Sequence, residues 1–367
     1  MSVSNDSSFE LISADSPDDW RRALENFAGT DVYHLPEYNK LMSQIDHGDP
    51  YLFSFKYRQY SAALPFLVRS LSDLPWDPGK LNDVISAYGY PGLIANGPAN
   101  DSRFLSELKS ALFNAFRQLG VVTGFIRHHP ILTSPDIAAA CGNYEHSGQT
   151  VAIKLSVDDD EQLRQMRKSH RYELRKSLKA GVQVYKNYDF SNLDTFIELY
   201  EATMKRVGAR DYYYFSRDYY QELVARLKSN VVLLHAKLDD EIIASAFFFT
   251  SKPIIQYHLS ATRIGFETLS PARVLVDHMR QWGSTAGFEW LHLGGGLGAS
   301  EDALFRFKSG FSKERFPFTV SRYVVDEDRY AVLLQQREDW LSHHGRDYTS
   351  SGFFPGYRDL PAELKAS

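Results

Sequence analysis

The chain has 367 residues, room for two domains at about 150 residues each. Apolar residues make up 43 % of it and charged residues 24 %, which excludes a globally disordered polymer. The net charge of −5 excludes a uniformly basic polyanion binder, and the single cysteine, Cys141, excludes an intramolecular disulfide and favours a reducing compartment, the cytoplasm.

In chain order, the stretch Met1 to Phe9 is polar and lacks the basic and apolar regions of a signal peptide. Patterning predicts a helix near Asp18–Phe27, strands at Tyr51–Tyr57, Ala62–Leu67 and Val84–Ala87, a helix at Arg103–Leu119 and a strand at Val121–Ile126. A boundary falls within Asn143–Gln149.

Ser156-Val-Asp-Asp-Asp-Glu161 then opens a helix whose acids suit the positive dipole end. Leu163, Met166, Leu174 and Leu178 follow at near-helical spacing until Gly181. A strand at Val182–Tyr185 precedes helices at Asn192–Arg206 and Asp218–Lys228. The apolar runs Val231–Leu238, Ile242–Thr250 and Ile254–Ala261, separated by short polar turns, predict an antiparallel meander. Ser270-Pro271 suits the cap and first position of a further helix ending at Gly283. A strand at Phe288–Leu293, glycines 294–296, a helix at Glu301–Ser309 and a strand at Thr319–Val325 complete an α/β layer unit. The first half echoes this order. The longest apolar run, Ile242 to Phe249, is far short of the ~20 residues of a membrane helix, so no integral membrane segment is expected.

Five constellations carry chemistry. The predicted helix Arg164–Lys179 holds seven Lys or Arg residues against one acid, Glu173, and suits phosphates. The helix start Ser270-Pro-Ala272-Arg273 offers backbone N–H groups and a positive dipole end to an anion. In His292-Leu-Gly-Gly-Gly-Leu-Gly298 the glycines let a ligand approach the backbone, though the spacing is not that of a dinucleotide fingerprint. Lys308, between Phe307 and Phe311, is suited to holding a phosphate or stabilising an oxyanion. Arg206-Val-Gly-Ala-Arg210-Asp211-Tyr-Tyr-Tyr214-Phe215 is too polar and aromatic for a routine helix and predicts a loop lining a cleft. His128-His129-Pro130 lacks a third ligand at metal spacing, so no metal is expected.

These residues resemble the Fem-type peptidyltransferases and the wider acetyltransferase (GNAT) group of the same double-domain build. The segments that carry the resemblance are Tyr33-His-Leu-Pro-Glu-Tyr38, Tyr88-Gly-Tyr-Pro-Gly92, Lys168 to Val182, Ala209-Arg-Asp-Tyr212, His292-Leu-Gly-Gly-Gly and Phe307-Lys308.

The resemblance implies an α/β fold with two tandem acetyltransferase-like domains, at 1–148 and 149–325, and a tail, 326–367, that returns to the first. It implies that Arg210, with Tyr214 and Asp211, holds the acceptor, and that Tyr88 lines a cleft in the first half. Tyr257, Phe307 and Lys308 would lie near the transferred carbonyl. The helix start at Ser270, Ala272 and Arg273, read from its own residues, is the candidate pyrophosphate site of the donor, though it is not the usual glycine-rich CoA loop. Fem enzymes use aminoacyl-tRNA and the wider group uses acyl-CoA. One concentrated basic helix in a net-acidic chain favours acyl-CoA, with aminoacyl-tRNA as the alternative. The acceptor is then an amine on a small molecule, a glycan or a cell-envelope peptide. A non-catalytic binding protein of the same fold is the remaining class. Pro91-Gly92-Leu93 stands where the Fem pattern reads Pro-Arg-Gly-Pro, which weakens the case for a peptidoglycan acceptor.

Overall fold

A computed structural model describes residues 6–345 and 350–361. Part of the polar N-terminus and part of the predicted tail therefore lie outside the described residues. In chain order the elements are β1 (Ser7–Ser13), α1 (Pro17–Leu24), α2 (Pro36–Asp46), β2 (Asp49–Tyr57), β3 (Tyr60–Ser70), β4 (Asn82–Ile85), β5 (Ile94–Ala95), α3 (Ser102–Gln118), β6 (Val121–Arg127), α4 (Pro135–Cys141) and β7 (Asn143–Lys154). They continue with α5 (Asp159–Gln165), α6 (Lys168–Lys179), β8 (Gln183–Asn187), α7 (Leu193–Val207), α8 (Arg217–Leu227), β9 (Val231–Leu238), β10 (Glu241–Ser251), β11 (Ile254–Thr262), α9 (Pro271–Thr285), β12 (Trp290–Gly294), α10 (Ala303–Lys308), β13 (Arg315–Val324) and α11 (Glu327–His343).

The chain divides into two compact units. One comprises the described residues of Met1–Ala28, Tyr33–His146 and Thr319–Ser367; the other comprises Gly29–Val32 and Ser147–Phe318. The first unit has the strand order β1-β2-β3-β4-β6-β13, with β5 on β3. Its β4–β6 pair is parallel and joined through α3. Asp101 starts α3 by accepting the N–H groups of Arg103 and Phe104. Phe104, Leu108, Leu112 and Phe116, at helical spacing, then bury one face against Phe53, Phe55 and Phe66. The tail segment also packs in this unit. Tyr357 Oη lies 2.6 Å from Thr123 Oγ1, and Arg358 pairs with Asp83 and Asp73.

The second unit repeats the scheme as β7-β12-β11-β10-β9-β8, its parallel pair β11–β12 joined through α9. α6 and α9 pack together, with α9 against β9–β11, while α7 packs on β10 and β11 and touches α8. Alternating residues of β10 separate two faces. Phe248 enters the core beneath α9 with Val274 and Leu275, whereas Phe247 packs edge-on against Phe196 of α7 at 4.6 Å. With both faces covered, β10 is buried from Ile242 to Thr250, so it reads as one apolar run.

Four features depart from the sequence expectation. The predicted basic helix is two helices, because Met166 and Arg167 adopt extended ψ values of 133° and 141°. The Arg167 N–H leaves the helical ladder to bond Gly310 O at 2.8 Å, and Arg164 belongs to α5 rather than to the basic helix. Ser270 does not cap α9 with its side chain; it is left-handed, with φ 48°. β7, β1, α2 and α4 escaped the sequence reading, and β13 begins at Arg315, before the expected start.

Candidate functional site

The second unit's parallel strands run side by side for only three residues. Ile254, Ile255 and Gln256 of β11 pair with Trp290, Leu291 and His292 of β12. Beyond that point β11 stays with β10 as far as Thr262, and β12 stays with β7 as far as Gly294. Their facing edges are released, so the sheet opens between them. At the last paired rung His292 Nδ1 meets Gln256 Oε1 at 2.6 Å, and the Gln256 amide donates to Asp31. This buried chain holds the start of the opening.

Tyr257 is the first β11 residue past the paired rungs. Its ring lies 5.3 Å from Phe248, and burial pushes its phenol up to about 12, opposed by a hydrogen bond with Ser260. On the β12 side, Lys308 at the end of α10 donates from Nζ to Gly295 O at 2.7 Å. Burial pulls its ammonium down to about 8, with Asp302 opposing. Asp302 builds this corner by capping Phe305 N at 2.8 Å and Leu297 N at 3.2 Å.

Three helices meet over Phe307. The α6 residue His170 places Nε2 2.8 Å from Phe307 O. The Arg273 guanidinium, in the first turn of α9, lies 5.5 Å from the centre of the Phe307 ring. Burial lowers Arg273 from the usual arginine value, with Glu173 opposing. Gly310 admits His170, since a Cβ there would come within 2.1 Å of the imidazole. Burial pulls that imidazole down to about 4, so it is neutral at pH 7. α9 follows the end of β11, which puts Ser270, Ala272 and Arg273 at the end where the strands part.

Arg210, Asp211 and Tyr214 form a second group. They lie between α7 and α8, the helices of the opposite face, and are exposed. The end of α7 is tied to the end of β11. Thr203 Oγ1 donates to Thr262 O at 3.4 Å, and Arg206 pairs with Glu267 at 3.1 Å. The Arg210 loop therefore sits at the same end of the sheet as the α9 start, on its other side. Among the described residues the side chains of Arg210 and Tyr214 make no hydrogen bond, ion pair or ring contact.

His258 is the extra residue of a β-bulge, since Phe247 pairs with Leu259 and Phe248 with Tyr257. Its ring stacks on Phe249 at 4.1 Å, and Nε2 lies 3.3 Å from Tyr219 Oη. Burial pulls it down to about 3, leaving it neutral on the α7–α8 face. Tyr88 belongs to the first unit, where its backbone oxygen accepts from Tyr38 Oη at 2.8 Å. Cys141 is buried there too, its thiol pushed up to about 12. No group of three or more His, Cys, Asp or Glu suited to a metal occurs among the described residues. The sequence reading missed Gln256 and Asp31, whose side chains are paired only by the fold, and counted His170 with the basic helix rather than with Phe307.

Residues 164–309 match the acetyltransferase (GNAT) domain family. Among solved structures, a crystal structure of FemX is similar over 89 % of this chain and 99 % of that one, with a TM-score of 0.65 and 14 % identity. The C-terminal domain (DUF2156) of a putative lysylphosphatidylglycerol synthetase from Agrobacterium fabrum covers 87 % of this chain and 96 % of its own, with a TM-score of 0.52 and 14 % identity. L-PGS from Bacillus licheniformis covers 86 % and 93 %, with a TM-score of 0.50 and 12 % identity. At these identities the likeness is one of fold. No curated protein matches the sequence.

The second unit thus carries an acetyltransferase (GNAT) domain, which puts the protein among acyl-transferring enzymes. The chain as a whole is an α/β protein that shares the fold of FemX.

Proposed function

We propose that this protein is an N-acyltransferase that moves an acyl group from acyl-CoA to an amine of a cell-envelope, glycan or small-molecule acceptor. The observation that carries this reading is the opening between β11 and β12, with the α9 start at one side and Lys308 at the other. A pantetheine arm is a narrow, extended chain with amide groups. It suits a gap whose edges are unpaired backbone, and its pyrophosphate suits the first turn of α9 at Ser270, Ala272 and Arg273.

In this reading the thioester carbonyl lies between Tyr257 and Lys308. The acceptor nitrogen attacks the carbonyl carbon, a C–N bond forms, the C–S bond breaks, and water carries the amine proton to the departing thiolate. The Lys308 ammonium and the Tyr257 hydroxyl stabilise the tetrahedral oxyanion, and Phe307 walls the site from solvent. The acceptor enters from the α7–α8 side, where Arg210, Tyr214 and Asp211 are exposed. In this reading 1–148 and 149–325 are acetyltransferase-like domains and 326–367 a tail, although residues 319–325 cluster with the first compact unit and 29–32 with the second. No helix is long and apolar enough to cross a membrane among the described residues. In this reading the protein works in the cytoplasm, where CoA thioesters are made.

One observation favours the aminoacyl-tRNA alternative. Lys168, Tyr172, Arg175 and Lys179 fall on one exposed stripe of α6, opposite the buried His170, Leu174 and Ser177. The deciding experiment compares thermal stabilisation of the pure protein by acetyl-CoA with its binding of charged tRNA at physiological salt. Stabilisation by acetyl-CoA supports the acyl-CoA reading. Tight tRNA binding without any acetyl-CoA response replaces it with aminoacyl transfer.

A further inference from the structure

The first turn of α6 grips the chain on either side of Lys308. His170 Nε2 lies 2.8 Å from Phe307 O, Arg167 N–H donates to Gly310 O at 2.8 Å, and Arg167 Nη2 donates to Ser309 Oγ at 3.3 Å. Lys308 itself reaches Gly295 O. α10 has only six residues, and the last carbonyls of a helix find no partner inside it. Asp302 fixes the start of α10 through Phe305 N at 2.8 Å, so α6 supplies the matching restraint at its end.

His170 suits this place by its N–H rather than by its packing. Phe307 O can only accept, so Nε2 carries the imidazole proton and Nδ1 keeps its lone pair. That Nδ1 is buried without a hydrogen-bond partner among the described residues. The residue is 4 % exposed, its ring edge-on to Phe311 at 5.0 Å and tilted to Phe307 at 6.0 Å. An apolar side chain would fill the same space and leave no polar atom unsatisfied. The ring also requires glycine at 310, where a Cβ would meet it at 2.1 Å. Both concessions serve a donor placed on the carbonyl that precedes Lys308. The Phe307 carbonyl and the Lys308 N–H share one peptide plane, so holding the oxygen sets the direction in which the lysine side chain leaves the helix. Phe307 O accepts from Gly310 N–H at 3.1 Å as well, but that bond lies within the turn, whereas His170 ties the turn to a separate helix.

We propose that His170 is a positioning residue for Lys308, which it holds through the Phe307 carbonyl so that the ammonium stays at Gly295, beside the end of β12. The inference rests on the reading of Lys308 as the group that stabilises the oxyanion. Arg167, Arg273 and Glu173 face the imidazole and Asp302 faces the ammonium, and all four stay in place in the variants below.

The test uses the full chain with His170→Leu and His170→Met, which keep apolar packing and remove the N–H, and with His170→Gln, whose amide returns a donor. Lysine labelled with 13C at Cε reports the titration of Lys308 by NMR, its signal assigned by its absence from Lys308→Met. Wild-type Lys308 should titrate near 8. In the Leu and Met variants the midpoint should rise by about one pH unit or more, toward the ordinary lysine value, as the ammonium leaves its buried seat. His170→Gln should restore the low value. CoA release from acetyl-CoA, read as free thiol, should fall about tenfold or more in kcat in the Leu and Met variants, with KM for acetyl-CoA within about twofold. Their melting temperatures should not fall. An unchanged Lys308 titration, or a wild-type kcat in both apolar variants, would overturn the proposal. A wild-type chain that releases no CoA would remove the acyl-CoA reading alone, because the titration still decides whether His170 holds Lys308.

Discussion

Lys308 and Gly295 are joined across the end of β12, the lysine Nζ donating to the glycine oxygen at 2.7 Å. This bond fixes the ammonium beside the end of β12, the strand that leaves β11 after His292. Its pKa, about 8, gives the pair a measurable signature.

If the ammonium stabilises the oxyanion, activity should fall as pH rises through about 8. A pH–rate profile for Lys308→Met should lose that limb and show a lower kcat across the range. The same shift bears on stability. The folded pKa lies below the unfolded value, so between about 8 and 10.5 the unfolded chain binds more protons. Stability from this group therefore rises with pH across that window, and below it the burial penalty is fully present. Lys308→Met should then raise stability at pH 7 by about 1–2 kcal/mol, as read by urea denaturation. A stable but fully active variant would remove Lys308 from the reaction.

Arg210 is exposed and its side chain has no partner among the described residues, so its removal should leave the fold intact. With a phosphate- or carboxylate-bearing acceptor, Arg210→Ala should raise KM by roughly 10- to 100-fold, the equivalent of about 1.5–3 kcal/mol. Steady-state kinetics at fixed donor concentration would show it, and an unchanged KM would take Arg210 out of the acceptor site.

Gly310 and His170 are interlocked at the junction of α6 and α10. Gly310→Ala drives a Cβ into the imidazole and should cost about 1–3 kcal/mol. Adding His170→Ala removes the clash, so the double variant should recover part of that loss in thermal melts. Additive losses would show that the glycine serves some other purpose.

Arg280 is 2 % exposed and pairs with Asp277 at 2.8 Å, Asp159 at 2.5 Å and Gln162 Oε1 at 2.8 Å. Arg280→Ala strands the buried Asp277 carboxylate and should destabilise by about 3–5 kcal/mol. Arg280→Met should recover packing but not the pairing, giving a smaller loss. Denaturant midpoints compared with an Asp277→Asn/Arg280→Met double variant would separate the two contributions, and a near-neutral Arg280→Ala would refute the claim.

Residues from Val231 to Ala261 show how far local pattern reaches. Three apolar runs broken by Asp239-Asp240-Glu241 and Ser251-Lys252-Pro253 determine an antiparallel meander, and β9 to β11 follow it within a residue or two. The spacing of Phe104, Leu108, Leu112 and Phe116 likewise determines α3, and the acids at Asp158–Glu161 mark the start of α5. These elements were readable because their signals, periodicity and capping, lie within one turn or one hairpin.

Contacts between distant residues decided the rest. The helix beginning at Asp159 breaks because Arg167 N–H finds Gly310 O, a partner 143 positions away that no local pattern announces. The opening at Gln256 and His292 follows from which neighbour each strand keeps, β10 for β11 and β7 for β12. β7 itself escaped notice because its first half is polar, and only its pairing with β12 buries Val151 and Ile153. The sequence by itself determined α3, the start of α5, the meander and the kinds of side chain available for transfer chemistry. Tertiary structure alone decided which of them face one another, because backbone hydrogen bonds and burial select partners by position in space, which spacing along the chain does not encode.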